Sequence, residues 1–149
     1  MENLFLIKGL SPSTRIEAVS SNGKGLRPNT KYCIILSMVH FKPVEFRGSA
    51  LDDLRAFPAA ARRHAGYQLD KVQHGRDPDD WKPMAVVGRG VREIRIRDTG
   101  GAFRVMYVAS FNDVVYVLHC FQKKSQKTGK SDLNLAGQRY RDLVKERDS

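Results

Sequence analysis

The sequence predicts an α+β domain: a small antiparallel sheet, made of a three-strand meander and one N-terminal strand, with helices packed on it. Three observations carry this reading. A helical stripe of apolar residues runs over 49–74, the apolar period changes to two over 91–121, and a second helical stripe closes the chain after residue 131. The length of 149 residues suits one domain, large enough to bury a core without disulfides or metals.

The chain divides near Met38. Residues 1–37 hold Ser11-Pro12-Ser13, the run Ser20-Ser21-Asn22-Gly23-Lys24-Gly25 and Pro28-Asn29, which is turn chemistry with little periodicity. Residues 4–7 and 32–36 have the composition of short strands. Otherwise this segment is an extension outside the core, either disordered or upstream of an authentic start at Met38, and residues 38–149 form the domain. The first ten residues lack a basic stretch leading into an apolar core, so no export signal is expected. No apolar run nears the roughly 20 residues that span a bilayer. The expected compartment is the cytoplasm, with Cys33 and Cys120 as free thiols.

Each element then follows in order. Residues 41–47 alternate loosely and predict a first strand. Ser49-x-x-Asp52 resembles a capping box, and Leu51 and Leu54 give the helix behind it an apolar face. Phe57-Pro58 interrupts that helix, because proline has no N–H to donate. Ala61, Ala65, Leu69 and Val72 form a second stripe that ends at Gly75, so 49–74 predicts two successive helices. Residues 76–83 predict a polar, solvated loop with Asp77, Asp79, Asp80 and the single tryptophan, Trp81, as a packing anchor.

Strict alternation begins at Val91 and Asp98-Thr99-Gly100-Gly101 is a hairpin signal. Phe103, Val105 and Tyr107 alternate with Arg104, Met106 and Val108 in the returning strand. Residues 114–121 are almost all apolar, which predicts a strand that is central or covered on both faces. After the polar run 122–130, Ser131 or Asp132 is placed to cap a last helix whose stripe is Leu133, Ala136, Tyr140 and Leu143.

Charge narrows the function. Lys and Arg number 26 against 16 Asp and Glu, a net charge of +10 and a pI near 9.9, which favours phosphate polymers or an acidic partner. No helix-turn-helix, zinc finger or glycine-rich RNA-binding signature is present. His119 and Cys120, as strand neighbours, point to opposite faces, and His40, His64 and His74 show no ligand spacing, so no metal is expected.

The most informative stretch is 81–130. It holds Trp81-Lys82-Pro83-Met84, then Val91-Arg92-Glu93-Ile94-Arg95-Ile96, then Phe103-Arg104-Val105-Met106-Tyr107, then Phe121-Gln122-Lys123-Lys124 followed by Lys127-Thr128. In this order the chain resembles the RelE/ParE toxin superfamily, and within it the HigB-like, phage-associated branch, over about residues 41–147. The resemblance implies a compact sheet with helices on one side. It also implies the toxin of a type II toxin–antitoxin system, an mRNA interferase that cleaves messenger RNA on the ribosome and so inhibits translation. No cofactor would be needed, and the partner would be a cognate antitoxin of helix-turn-helix type.

The residues suit that chemistry. Metal-free RNA cleavage uses the 2′-OH as nucleophile, so a site must take up its proton, neutralise the phosphorane-like transition state and protonate the leaving oxygen. Arg104 interrupts an apolar strand and matches the arginine of the family's Phe-Arg-Val strand, which contributes to the phosphate site; its alternative is an ion pair with Glu93 or Asp113. Lys123 and Lys124 match the basic pair after the last strand, for phosphate contact and for acid or base work. Arg104, Lys123 and Lys124 are therefore the catalytic candidates. Arg95, Arg97, Lys127 and Tyr107 are candidates for RNA contact, with solvation of a sheet face or, for Tyr107, core packing as the alternative. His119 is a candidate acid or base, or a satisfied core histidine.

One departure from the RelE pattern stands out. Its C-terminal catalytic tyrosine has no counterpart, since Tyr140 lies on an apolar helical stripe, and the general base stays unassigned. Two other functions share these features. A ParE-like relative would poison DNA gyrase, although such toxins tend to lack the cationic strand exit, and a non-catalytic module would bind nucleic acid without cutting it.

Overall fold

Five strands and three helices form from the residues that the computed structural model describes, 41–149 apart from Asn112. The short strands expected at 4–7 and 32–36, the boundary at Met38, Cys33 and His40 lie outside those residues. In chain order the elements are β1 (Val44–Phe46), α1 (Ala50–Arg55), α2 (Ala59–Gln73), β2 (Trp81–Pro83), β3 (Val91–Asp98), β4 (Gly101–Val108), β5 (Val115–Lys123) and α3 (Lys130–Asp148). The predicted α+β class holds, and the meander β3–β4–β5 is antiparallel throughout.

Three features differ from the expected sheet. Its order is β1-β5-β4-β3-β2, and β1 joins β5 in parallel, so the sheet is mixed. The loop expected over 76–83 ends in a short fifth strand, β2, which pairs antiparallel with β3. Three-residue edge strands carry too little alternation to be read locally, and pairing alone creates them. Helices also cover both faces, not one. Alternate residues of the meander, including Ile94, Ile96, Phe103, Val105 and Val117, pack against Leu54, Phe57, Ala61, Ala65, Leu69 and Val72 of the α1–α2 region. The intervening residues Val91, Met106, Val108, Leu118 and Phe121 pack on the other face with Ala136 and Leu143 of α3.

Helix ends also differ from expectation. Ser49 makes no side-chain cap; its hydroxyl donates to Asp53 Oδ2 at 2.8 Å and accepts from Arg139 Nη2 at 2.9 Å. Neither Ser131 nor Asp132 caps α3, which starts after Gly129. Two anchors dock α3 instead. A bulge leaves Leu118 as an extra residue of β5 between the pairs Met106–His119 and Tyr107–Val117, and Arg139 Nη1 donates to its carbonyl at 2.8 Å. Tyr140 lies over Gly88, where an added Cβ would come within 2.4 Å of its ring, and donates to Arg89 O at 3.0 Å. The structural reading of Tyr140 agrees with this. Among the described residues, no helix is long and apolar enough to cross a membrane.

Candidate nucleic-acid interface

Because side chains alternate along a strand, β3 sends Ile94 and Ile96 into the α1–α2 core and turns Glu93, Arg95 and Arg97 toward the α3 face. β4 adds Arg104 to that face, beside Met106. The register then sets three rows across β3, β4 and β5: Glu93, Met106 and His119; Arg95, Arg104 and Phe121; Arg97, Ala102 and Lys123. With strands about 4.8 Å apart, the last two rows gather cations at one end of the sheet.

An open groove at that end is lined by Arg97, Arg104, Lys123 and Lys124, with Ala102, Ser125 and Gln126 between them. Four cations and no carboxylate form its wall. Arg97 and Lys124 are exposed, and neither they nor Lys123 form an ion pair among the described residues. Lys127 lies exposed in the loop that follows and does not line the groove, although Ser125 Oγ donates to its carbonyl at 2.7 Å.

Arg104 is the buried member, only 5% exposed. Its Nη1 donates to Phe103 O at 2.9 Å, and its Nε lies 3.4 Å from Glu93 Oε1, too poorly aligned for a hydrogen bond. Glu93 is fully buried and has Lys82 Nζ at 3.5 Å and Thr128 Oγ1 at 3.5 Å. Of the two carboxylates that the sequence offers Arg104, the structure therefore brings Glu93 close; Asp113 pairs with Arg147 at 3.3 Å. Burial lowers the pKa of the Arg104 guanidinium, Glu93 opposes that, and Arg95 and Arg97 add to it. The group still carries its charge, as arginine does in proteins. A buried cation, paired with one carboxylate without a hydrogen bond and crowded by other cations, favours an incoming anion.

Arg95 faces the same side but is held by Asp80, at 3.0 Å from Nε to Oδ1. The other two aspartates of that turn are also paired: Asp77 with Arg92 at 2.8 Å, and Asp79 with Lys71. The acidic run is exposed, as expected of a solvated turn, and its three carboxylates also clamp the turn to α2 and β3. Trp81, expected as an anchor, lies in β2 with the Arg92 guanidinium 4.1 Å from its ring centroid.

His119 is buried, one row from Arg104. Its Nε2 lies 2.9 Å from Asp132 Oδ1, its ring stacks on Phe121 at 5.0 Å, and its Nδ1 is buried without a partner. The sequence offers Asp132, like Ser131, only as a helix cap; its place in the first turn of α3, facing β5, is what makes it the partner of this histidine. Lys82, the second cation on Glu93, was likewise not singled out, and only its pairing with Glu93 in the β2–β3 register reveals it. Tyr107 is not brought to the groove. It is 1% exposed in the α1–α2 core, on the opposite face, because it shares the period of Phe103 and Val105.

The family model described as phage derived protein Gp49-like (DUF891) matches residues 52–141, more than half of the chain. That span includes every cation of the groove, as well as Glu93, His119 and Asp132. No curated protein gives a significant match.

Proposed function

This chain belongs to the Gp49-like family of phage-derived proteins, part of the RelE/ParE-like toxin superfamily, and on that premise we propose that it is a HigB-like toxin that cleaves messenger RNA on the ribosome without a metal. The observation that carries the proposal is the groove walled by Arg97, Arg104, Lys123 and Lys124 with no carboxylate on its surface. Such a wall suits the doubly charged transition state of phosphodiester cleavage better than it suits a neutral ligand.

Within this reading Arg104 grips the scissile phosphate, and its burial strengthens the attraction. Lys123 and Lys124 flank it, one receiving the 2′-OH proton or returning a proton to the leaving oxygen, the other neutralising charge. Arg97 and Lys127 extend the cationic track along the backbone, and Arg95 joins it if Asp80 releases it. His119 serves as acid or base only if the first turn of α3 moves, since Asp132 occupies one ring nitrogen and the other is buried. An antitoxin, of helix-turn-helix type by analogy with the branch, would hold the toxin inactive, and the site of action would be the cytoplasm.

The test is induced expression in a bacterial host of the wild type beside Lys123→Ala/Lys124→Ala and Arg104→Ala, with the 5′ ends of translated messenger RNA mapped. New ends inside codons with wild type, absent with the lysine pair, are the expected result. Growth arrest with intact messenger RNA would overturn the nuclease reading in favour of a gyrase poison. Undiminished cleavage by both variants would remove the groove as its site.

A further inference from the structure

A second concave site lies on the other face of the sheet and at its other end. It is a cavity of about 290 Å³ between the end of α2, the start of β3 and the end of β4. Val72 and Ala109 supply apolar wall, while Arg76, Arg92 and Tyr107 supply polar groups. The Tyr107 hydroxyl is buried without a well-formed hydrogen bond, and because the Arg92 guanidinium beside it can only donate, the hydroxyl proton has no acceptor among the described residues. Burial raises its pKa, against the pull of Arg92 across the strand pair, so it is a neutral donor at physiological pH.

The cations here are unequal in what they can offer. Lys42 is spent on backbone, donating to Ala109 O at 2.8 Å and to Phe111 O at 3.2 Å. Arg92 is held in place by the Trp81 ring at 4.1 Å and by Asp77 at 2.8 Å, so it is preorganised. Arg76 is exposed and forms no ion pair among the described residues. Beside it, Gly75 at φ 74° leaves open space where a side chain would stand.

We propose that this cavity receives an acidic side chain of a protein partner, its carboxylate accepting from the Tyr107 hydroxyl and pairing with Arg76 and Arg92. One feature selects a carboxylate over a phosphate dianion: Asp77 also lines the cavity and repels a dianionic group more strongly than a single carboxylate. The proposal does not depend on what the cationic groove does, because the two sites share no lining residue.

The test is a backbone-amide NMR titration of the full chain with N-acetylglutamate α-amide, with N-acetylglutamine α-amide and inorganic phosphate as comparison probes. The glutamate compound is expected to shift Gly75, Gly90, Ala109 and Ser110, the glutamine compound to leave them in place, and phosphate to shift Arg97 and Ala102 instead. Tyr107→Phe, which keeps the ring and removes only the hydroxyl, is expected to weaken glutamate binding about tenfold. Arg76→Ala, an exposed change that cannot disturb the core, is expected to weaken it about threefold. Equal response to both amides, no response at the cavity, or tighter binding of phosphate there would each overturn the proposal, the last by assigning the cavity to a nucleic-acid backbone.

Discussion

The two faces of the sheet are written by alternate residues of the same strands, and they end differently. On the α1–α2 face the apolar residues run from Tyr107 to Ile96 and Phe103 without a charged interruption, and helices cover them. On the α3 face the apolar set stops at Phe121 and Met106, and beyond it stand Arg95, Arg97, Arg104 and Lys123. A period of two thus lets one set of strands carry an unbroken core on one side and, on the other, a core that gives way to a cationic groove. The α1–α2 core is thereby insulated from the groove.

Substitutions measure how complete that insulation is. The largest effect is expected on the α1–α2 face: Leu69→Ala, at a position 1% exposed, should lower unfolding stability by about 2–5 kcal/mol in a urea titration. A loss under about 1 kcal/mol would mean that this face is loosely packed.

Arg104 is where insulation should fail. Arg104→Met leaves the buried Glu93 with only Lys82 and Thr128, and should lower stability by about 1–3 kcal/mol. Adding Glu93→Gln to Arg104→Met should restore most of that stability without restoring RNA cleavage. A double variant no more stable than the single one would show that the pair is not an energetic unit.

The groove lysines should sit at the other extreme. Lys123→Ala and Lys124→Ala are each expected to stay within about 0.5 kcal/mol of wild-type stability. Each should also reduce the slope of log affinity for single-stranded RNA against log salt by about 0.7. An unchanged salt slope would remove these lysines from the phosphate contacts.

The smallest effect concerns the clamp between α2 and the turn before β2. The hydrogen bond from Lys71, then that from Gln68, holds the Asp79 carboxyl below its usual range. A depressed folded pKa stabilises above the unfolded value near 3.9, and that contribution is lost as pH falls through the folded value. Asp79→Asn should therefore flatten the acid limb of the stability–pH profile slightly, and less at high salt, because Asp79 is exposed. An acid limb identical to wild type would show that the clamp contributes nothing.

Much of the fold was legible because it is local. Val91 to Val108 alternates strictly, Ala61, Ala65, Leu69 and Val72 share one helical face, and the apolar run of β5 correctly implied cover on both faces. The sharing of one side by Arg95 and Arg97 follows from the same rule. What was not legible depends on partners distant in sequence. The parallel pairing of β1 with β5 joins residues some seventy positions apart, 44 with 115, and nothing in either segment specifies its direction. Asp132 read as a helix cap because its role depends on where α3 docks on His119. Tyr107 was open between RNA contact and core; its period with Phe103 and Val105 favoured the core, and α2 made that placement real.

Sequence alone determined the alternation that separates apolar from cationic positions on each strand, because φ/ψ geometry makes that a property of neighbours. It also determined the surplus of positive charge and, β2 apart, the order of helices and strands. Only the tertiary structure decided which cations became a site. α3 docks through Arg139 and Tyr140 over one part of the sheet, hides Leu118 and Met106, and leaves Arg97, Arg104, Lys123 and Lys124 around an open groove. Where a helix comes to rest on a sheet depends on packing between residues far apart in the chain, and no local pattern encodes it.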